Sequence, residues 1–145
     1  MINTLMLIDD ENLFHLVFED ACSILDMALS FEALDSSDEA NARFKAWFPD
    51  DPNKERPECV FVDLNIIGSS YDGIELIRRI NFEYGDNVVI GIISSSNELN
   101  EQAKAVQAGA QFWIVKSDEI EPRLEEFVQD YDGYRSKSAP FKVYK

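Results

Sequence analysis

Four short apolar runs, each ending in a polar or charged side chain, constrain the fold of this chain most strongly. The run from Cys59 to Val62 stops abruptly at Asp63. Unbroken runs of this kind are typical of strands buried on both faces of a parallel sheet. The other three runs end at Asp9, Ser94 and Lys116. Because ligands bind at the carboxyl edge of such a sheet, the pattern predicts that these four side chains line one site.

Strand and helix patterns alternate along the chain. Apolar residues at helical spacing follow each apolar run, and turn residues separate them. This alternation predicts an α/β, doubly wound fold with a parallel five-stranded sheet and right-handed crossovers. The predicted strands are 2–8, 28–34, 59–63, 88–93 and 111–115, and the predicted helices include 11–27, one that ends at Phe48, and 119–131.

Local signals mark several boundaries of these elements. Ser36–Glu39 and Ser95–Glu98 have the capping-box pattern, which predicts the starts of the second and fourth helices. Gly109 predicts the end of the fourth helix. Three prolines within 49–57 exclude regular structure there, and we interpret that loop as an insertion.

Composition excludes several classes of function. The net charge of −15 argues against direct binding of nucleic acid or of an anionic membrane, and it favours basic partners or metal cations. No apolar run of membrane-spanning length and no signal peptide is present, so we expect a cytoplasmic protein. With His15 as the single histidine, a histidine-based triad or metal cluster is excluded.

The last residues differ in composition from the rest. We predict one domain over residues 1–133 and a C-terminal tail over 134–145, with no output domain after it. The tail is rich in Lys and Arg, but it also contains Phe141, Val143 and Tyr144. These apolar residues predict that the tail packs on the domain.

The acidic side chains at the predicted edge need a cation. Two carboxylates about 4 Å apart repel by roughly 4 kcal/mol at an effective dielectric of 20, so Asp9, Asp10 and Asp63 need an ion or proton between them. Oxygen ligands without histidine or thiolate suit Mg²⁺. A carboxylate beside Mg²⁺ can act as a nucleophile and form an aspartyl-phosphate, while Ser94 and Lys116 contact the remaining phosphoryl oxygens.

The ordered set of motifs resembles the receiver domain of two-component response regulators, of the chemotaxis-regulator kind. The resemblance spans about residues 3 to 130 and implies a flavodoxin-like fold with strand order 2-1-3-4-5. The matching segments are Leu7–Glu11, Val62–Asn65, Asp72–Leu76, Ile92–Ser94, Gln107–Ala110 and Val115–Lys116.

The resemblance implies a role for each residue of the site. Asp63 is expected to be the phosphoacceptor, with Ser94 and Lys116 as the groups that bind the phosphoryl oxygens. Mg²⁺ is expected to be held by Asp10, by Asp63 and by the backbone carbonyl of Asn65, with Asp9 acting through a water. Trp113 falls where the family has an aromatic switch residue that moves inward on activation, together with Ser94.

The same resemblance implies the partners. A sensor histidine kinase or a histidine phosphotransfer protein is expected to donate the phosphoryl group. A downstream protein is expected to bind the face made by the fourth helix, the fifth strand and the fifth helix, and a homodimer is a further candidate assembly. We expect no enzymatic activity beyond self-phosphorylation and autodephosphorylation.

Each residue also has a simpler interpretation when taken alone. Asp9 and Asp10 could only cap the first helix. Lys116 could be a solvated strand end, Ser94 a turn residue, and Trp113 a core or surface aromatic.

Departures from the family pattern leave a second function open. The segment from Asp63 to Gly73 is two residues longer than usual, it lacks the customary proline, and Ser117 follows Lys116 in place of proline. These features favour the alternative of a receiver-like interaction module without phosphotransfer. A flavodoxin-like redox protein is disfavoured because acids occupy its phosphate-loop position. An Asp-nucleophile hydrolase is disfavoured because Asn65 stands where a second acid is needed.

Overall fold

A six-stranded parallel sheet forms the centre of the molecule, with the strand order β2-β1-β3-β4-β5-β6. The computed structural model describes residues 2–47, 57–66 and 68–145. The strands are β1 (Ile2–Ile8), β2 (Ala28–Leu34), β3 (Cys59–Asp63), β4 (Val89–Ser94), β5 (Phe112–Val115) and β6 (Lys142–Tyr144). The helices are α1 (Asn12–Ile24), α2 (Ser37–Trp47), α3 (Gly73–Tyr84), α4 (Leu99–Ala108) and α5 (Ile120–Arg135), with a 3-10 turn at Gly85–Asn87.

Helices cover both faces of the sheet, which is why its central strands are apolar up to their last residues, Asp63 and Ser94. Every residue of β3 and β4 is buried. Phe18 of α1 and Phe127 of α5 pack with Phe61 on one face. Ile77 of α3 lies in the cluster on the other face. The predicted α/β class and the order of the first five strands are confirmed.

Two helices end at positions other than those predicted. The first was expected to reach residue 27 but ends at Ile24, because Asp26 adopts a left-handed conformation with φ of 51°. The last was expected to end near residue 131 but continues to Arg135. Its apolar face extends for another turn, since Tyr134 is buried as well.

The two predicted capping boxes had different outcomes. Ser36 Oγ accepts a hydrogen bond from the Glu39 N–H, which confirms the start of α2. The box at Ser95–Glu98 is wrong: α4 begins at Leu99, and its N-cap residue Glu98 makes no side-chain cap. The hydroxyl of Ser96 instead accepts from the Glu98 N–H two residues on, a local bond that competes with helix capping.

Residues 142–144 form a strand that the sequence did not predict. β6 pairs parallel to β5, and the whole unit of β5, α5 and β6 repeats the crossover pattern of the domain. Tyr144 is buried, donates a hydrogen bond to Asp130 Oδ2 at 2.6 Å and shares one with the Tyr134 hydroxyl at 2.8 Å. The segment assigned to a tail from residue 134 therefore begins inside α5 and ends in the sheet.

This sixth strand changes the predicted partner face. Val143 pairs with Trp113 along the outer edge of β5, so that edge is occupied within the chain. A protein that approaches between α4 and α5 would meet β6 at the rim of the sheet, where β5 was expected.

Two further predictions concern parts of the chain outside the sheet. The predicted insertion at 49–57 lies outside the described residues except for Pro57. Within the described ranges, no helix is both long and apolar enough to cross a membrane.

Replacement of Tyr144 by Phe tests how β6 is held. We expect the free energy of unfolding in urea to fall by about 1–3 kcal/mol, because the buried Tyr134 hydroxyl loses its partner and Asp130 loses a donor. Lys142→Ala is the control, since its pairs with Glu126 and Asp130 are exposed to solvent and should contribute little to stability. A Tyr144→Phe variant as stable as wild type would contradict this account.

Candidate functional site

The carboxyl ends of four strands bring the predicted side chains to one edge of the sheet. Asp9 follows β1, Asp63 ends β3, Ser94 ends β4 and Lys116 follows β5. One carboxylate oxygen from each of Asp9, Asp10 and Asp63 lies within 4.8 Å of the others. The Lys116 ammonium lies 2.6 Å from Asp9 Oδ2 and 3.2 Å from Asp63 Oδ2. The sequence prediction of a shared acidic edge is therefore met in the geometry.

The turn after β1 fixes Asp9 in place. Its backbone N–H donates to the Leu34 carbonyl at 2.9 Å. Its Oδ1 accepts from the Glu11 N–H at 2.8 Å, just before α1. The interpretation of Asp9 as a helix cap therefore applies to this one oxygen. The other oxygen faces Lys116. Asp9 is completely buried, whereas Asp10 is half-buried beside it.

The start of α3 positions the loop that carries Asp63. Gly73 donates its N–H to the Leu64 carbonyl at 3.2 Å. A Cβ at Gly73 would lie 2.1 Å from the Asp63 carbonyl oxygen, so only glycine permits this approach. Asp72 caps α3 by accepting from the Glu75 N–H. The helix therefore begins directly against the backbone of Asp63.

Asn65 follows Asp63 by two residues and is exposed. Its N–H donates to Asp63 Oδ1 at 3.4 Å. This bond places the Asn65 backbone beside the acidic group.

The longer segment between Asp63 and Gly73 is attached to the start of α2. Ser69 Oγ accepts from the Ser37 N–H at 3.0 Å. Ser70 donates its hydroxyl to Asp38 Oδ1 at 2.7 Å. These contacts hold the described part of the segment at the rim of the site.

Lys116 is an internal cation of the site, so its interpretation as a solvated strand end is wrong. Its side chain is 12% exposed. Burial alone would lower the pKa of Lys116, but its contacts with Asp9 and Asp63 outweigh burial and raise the pKa above the usual value. The ammonium also lies 4.6 Å from the centre of the Phe14 ring. It therefore stays charged and neutralises part of the acidic group.

The surroundings of Asp63 disfavour its ionised form relative to the protonated acid. Burial raises its pKa; the positive charge of Lys116 opposes that shift, and the negative charge of Asp9 adds to it. The net effect raises the pKa of Asp63 to about 6. One ammonium shared by two carboxylates does not restore an ordinary pKa, so a further cation would stabilise the ionised form.

Ser94 and Trp113 meet at the loop after β4. Ser94 is buried, and its Oγ accepts from the Ser96 N–H at 3.2 Å. Trp113 is fully buried, as in the core interpretation, and its indole Nε1–H donates to the Ser96 carbonyl at 2.9 Å. The backbone N–H of Lys116 donates to the Ser94 carbonyl at 2.8 Å. The two predicted switch residues are thus connected through Ser96.

Three residues that lie near the site were not predicted as site residues. Glu11 Oε2 lies 3.8 Å from Lys116 Nζ, and the Phe14 ring lies against the same ammonium. His15 Nε2 contacts the backbone carbonyl of Asp9. Their position in the sequence could have indicated that they lie near the site, because the first turn of a helix that starts just after Asp9 must lie close to that acid.

The donor set fits a magnesium ion. Three carboxylate oxygens converge within 4.8 Å, and carboxylates are the hard ligands that Mg²⁺ prefers. Mg²⁺ usually takes one or two carboxylates and keeps several waters. Asp9 is engaged at both of its oxygens, by the Glu11 N–H and by Lys116, which makes it the acid least suited to bind an ion directly.

Comparison with solved structures places the fold among response regulators. NtrX from Brucella abortus in complex with ADP is similar with a TM-score of 0.72 and 19% identity, over 94% of this chain and 29% of that one. The chain thus spans under a third of that protein's length. The phosphorylated cyanobacterial phytochrome response regulator RcpA matches with a TM-score of 0.71 and 17% identity, over 96% and 97% of the two chains.

The Mn²⁺-bound form of the response regulator Rcp1 matches with a TM-score of 0.70 and 15% identity, over 94% of this chain and 96% of that one. At these identities the likeness supports the fold. No curated protein sequence matches the chain significantly. The model of the response regulator receiver domain matches residues 5–127, which is most of the chain. This chain therefore belongs to the response regulator receiver domain family.

Proposed function

We propose that this chain accepts a phosphoryl group on Asp63 from a phosphohistidine donor, in a Mg²⁺-dependent reaction, and signals to a protein partner by a conformational switch. Receiver domains are phosphoacceptors of two-component signalling, and they interact with histidine kinases and downstream effectors. The proposal for this chain rests on one observation. Asp9, Asp10 and Asp63 lie together at the carboxyl edge of the sheet, beside the ammonium of Lys116.

Asp10, Asp63 and the Asn65 carbonyl are the groups that would hold Mg²⁺, with Asp9 acting through a water. When bound, the ion neutralises charge on the transferred phosphoryl oxygens and lowers the cost of ionising Asp63. The indirect role of Asp9 is supported by its contacts, since its two oxygens are engaged by the Glu11 N–H and by Lys116.

The transfer itself is a displacement at phosphorus. A carboxylate oxygen of Asp63 forms a bond to phosphorus while the bond from phosphorus to the donor imidazole nitrogen breaks, and that nitrogen keeps the electron pair and takes up a proton. Lys116 and the Ser94 hydroxyl would contact the phosphoryl oxygens, so these residues supply charge and position.

The donor is proposed to be a sensor histidine kinase or a histidine phosphotransfer protein in the cytoplasm. The downstream protein is proposed to bind between α4 and α5, with β6 rather than β5 at the rim, and a homodimer is a further candidate assembly. Beyond self-phosphorylation and autodephosphorylation, no enzymatic activity is proposed.

A receiver-like interaction module without phosphotransfer is the second candidate. The observation that favours it is the ion pair of Lys116 with both Asp9 and Asp63, which neutralises part of the acidic group without a metal. The two candidates differ in whether Asp63 becomes phosphorylated.

Intact mass spectrometry after incubation with acetyl phosphate and Mg²⁺ tests the proposal. We expect wild type to gain one phosphoryl group, because Asp63 is the nucleophile and Mg²⁺ activates the donor. Asp63→Asn and chelation by EDTA should each abolish the gain. Asp20→Asn, which removes an exposed acid of α1, should behave as wild type. A wild-type mass that stays unchanged with acetyl phosphate and with a phosphorylated phosphotransfer protein would favour the interaction module.

The raised pKa of Asp63 predicts a pH-dependent gain in stability for Asp63→Asn without metal. The unfolded carboxyl titrates near its ordinary pKa of 3.8 and the folded one near 6, so the folded state favours the protonated acid. The penalty for an ionised Asp63 is small below the unfolded pKa and complete above the folded one. In EDTA we therefore expect Asp63→Asn to be up to about 3 kcal/mol more stable than wild type near about pH 8.

Urea unfolding at several pH values measures this difference. The advantage of Asp63→Asn should shrink as the pH falls toward about 4.5, where the wild-type acid is protonated in the folded state. Added Mg²⁺ should also reduce the advantage, since the ion stabilises the carboxylate. A variant that is less stable than wild type near about pH 8 in EDTA would show that the ion pair with Lys116 outweighs burial.

A further inference from the structure

The backbone carbonyl of Asp9 lies in the turn between β1 and α1. This carbonyl belongs to the peptide unit that joins Asp9 to Asp10. Because a peptide unit is planar, its rotation changes the ψ angle of Asp9 and the φ angle of Asp10 together. The direction of this carbonyl is therefore linked to the direction in which the Asp10 side chain leaves the turn.

Helix α1 starts too late to supply a backbone donor for this carbonyl. Its N-cap residue is Glu11, whose own carbonyl accepts from the His15 N–H at 3.2 Å. The Asp9 carbonyl precedes that cap by two residues, so it lies outside the ladder of helical hydrogen bonds. Within the described residues, its one donor is the side chain of His15, through Nε2. A peptide carbonyl only accepts hydrogen bonds, so Nε2 carries the ring proton.

The other polar groups of Asp9 are engaged by different parts of the fold. Its N–H donates to the Leu34 carbonyl, its Oδ1 accepts from the Glu11 N–H, and its Oδ2 faces Lys116. These contacts fix the peptide before Asp9 and the carboxylate itself. The carbonyl of the peptide that follows is held, within the described residues, by His15.

The imidazole lies between α1 and the loop that follows β2. The His15 side chain is 13% exposed, and its Nδ1 lies 3.9 Å from Asp35 Oδ1 in that loop. The backbone N–H of Asp35 donates to Glu39 Oε2 at 3.2 Å, which attaches the loop to the start of α2. His15 therefore approaches the Asp9 carbonyl from a confined position, unlike a side chain that rotates freely at the surface.

We infer that His15 is a positioning residue of the metal site: it holds the peptide between Asp9 and Asp10, and it thereby directs the Asp10 carboxylate toward Mg²⁺. The inference rests on the proposed function, in which Asp10 binds the ion directly and Asp9 acts through a water.

Loss of the imidazole N–H has a defined consequence for the acidic group. The Asp9 carbonyl would have no donor within the described residues, so its peptide could rotate toward solvent. Asp10 would then sample directions in which its carboxylate no longer lies beside Asp63. His15 thus acts on the ion through the backbone, without contact between the imidazole and the metal.

Calorimetric titration of the intact, metal-free chain with Mg²⁺ tests this role in two variants of His15. His15→Leu fills similar space without a donor, and we expect it to weaken Mg²⁺ binding by about tenfold, the lower end of the effect of outer-shell partners. His15→Gln carries an amide N–H at the same number of bonds from the backbone as Nε2, so it should restore most of the affinity. Leu16→Ala, which truncates an exposed neighbour on α1, should bind Mg²⁺ as wild type does.

Two further measurements separate positioning from a general loss of stability. Amide relaxation measured by NMR in EDTA should show a more mobile Asp10 amide in His15→Leu than in wild type, while the amides of β3 stay equally ordered. The Mg²⁺ concentration that gives half-maximal phosphorylation by acetyl phosphate should rise by about tenfold in the same variant, and excess Mg²⁺ should reduce the defect. A merely structural role for His15 would lower stability and leave both quantities as in wild type.

The outcomes distinguish this inference from the proposed function. Wild-type affinity in His15→Leu, or an Asp10 amide as ordered there as in wild type, would overturn the positioning role and leave the metal site intact. A His15→Gln variant that binds as weakly as His15→Leu would overturn the route through the hydrogen bond to Asp9. Absence of saturable Mg²⁺ binding in wild type would overturn the metal site of the proposed function, and this inference with it.

Discussion

Repulsion among buried carboxylates is the constraint on which the rest of this structure depends. Asp9 and Asp63 are buried at one edge of the sheet and share a single ammonium, that of Lys116. Burial and the charge of Asp9 raise the pKa of Asp63 even though Lys116 opposes the shift. A fold optimised for stability alone would not keep this arrangement, since a neutral residue at position 63 would remove the penalty. Under the proposed function this penalty has a use, since a cation and a phosphoryl group would engage the ionised acid.

Backbone geometry, more than side-chain packing, brings the acidic side chains and Lys116 together. Parallel strands end at a common edge, so residues distant in sequence meet there. Gly73 lets α3 start against the Asp63 carbonyl, and the turn after β1 fixes Asp9 by hydrogen bonds at its N–H and its Oδ1. The longer loop after Asp63 changes the rim, where its serines bond to the start of α2, and it leaves the convergence of the acids unaffected.

The parts that were predictable from sequence are those with strong periodic or positional signals. The apolar runs predicted β1, β3, β4 and β5, and the polar residue at the end of each run indicated the site. β6 was missed because three residues are too short for a period to show, and its stability comes from the Tyr144 contacts with Asp130 and Tyr134. The capping box at Ser95–Glu98 failed because Ser96 bonds locally and its carbonyl accepts from Trp113. The closeness of Glu11, Phe14 and His15 to the site follows from their position at the start of α1. The groups that they contact depend on the angle at which α1 leaves the turn, and no local pattern specifies that angle.

A calorimetric titration of the metal-free chain with Mg²⁺ tests most directly whether the group of Asp9, Asp10 and Asp63 binds this ion. The account predicts one saturable site in wild type, weakened on the order of tenfold or more in Asp10→Asn and unchanged in Asp20→Asn. Equal affinities in wild type and Asp10→Asn, or no saturable binding in wild type, would contradict it.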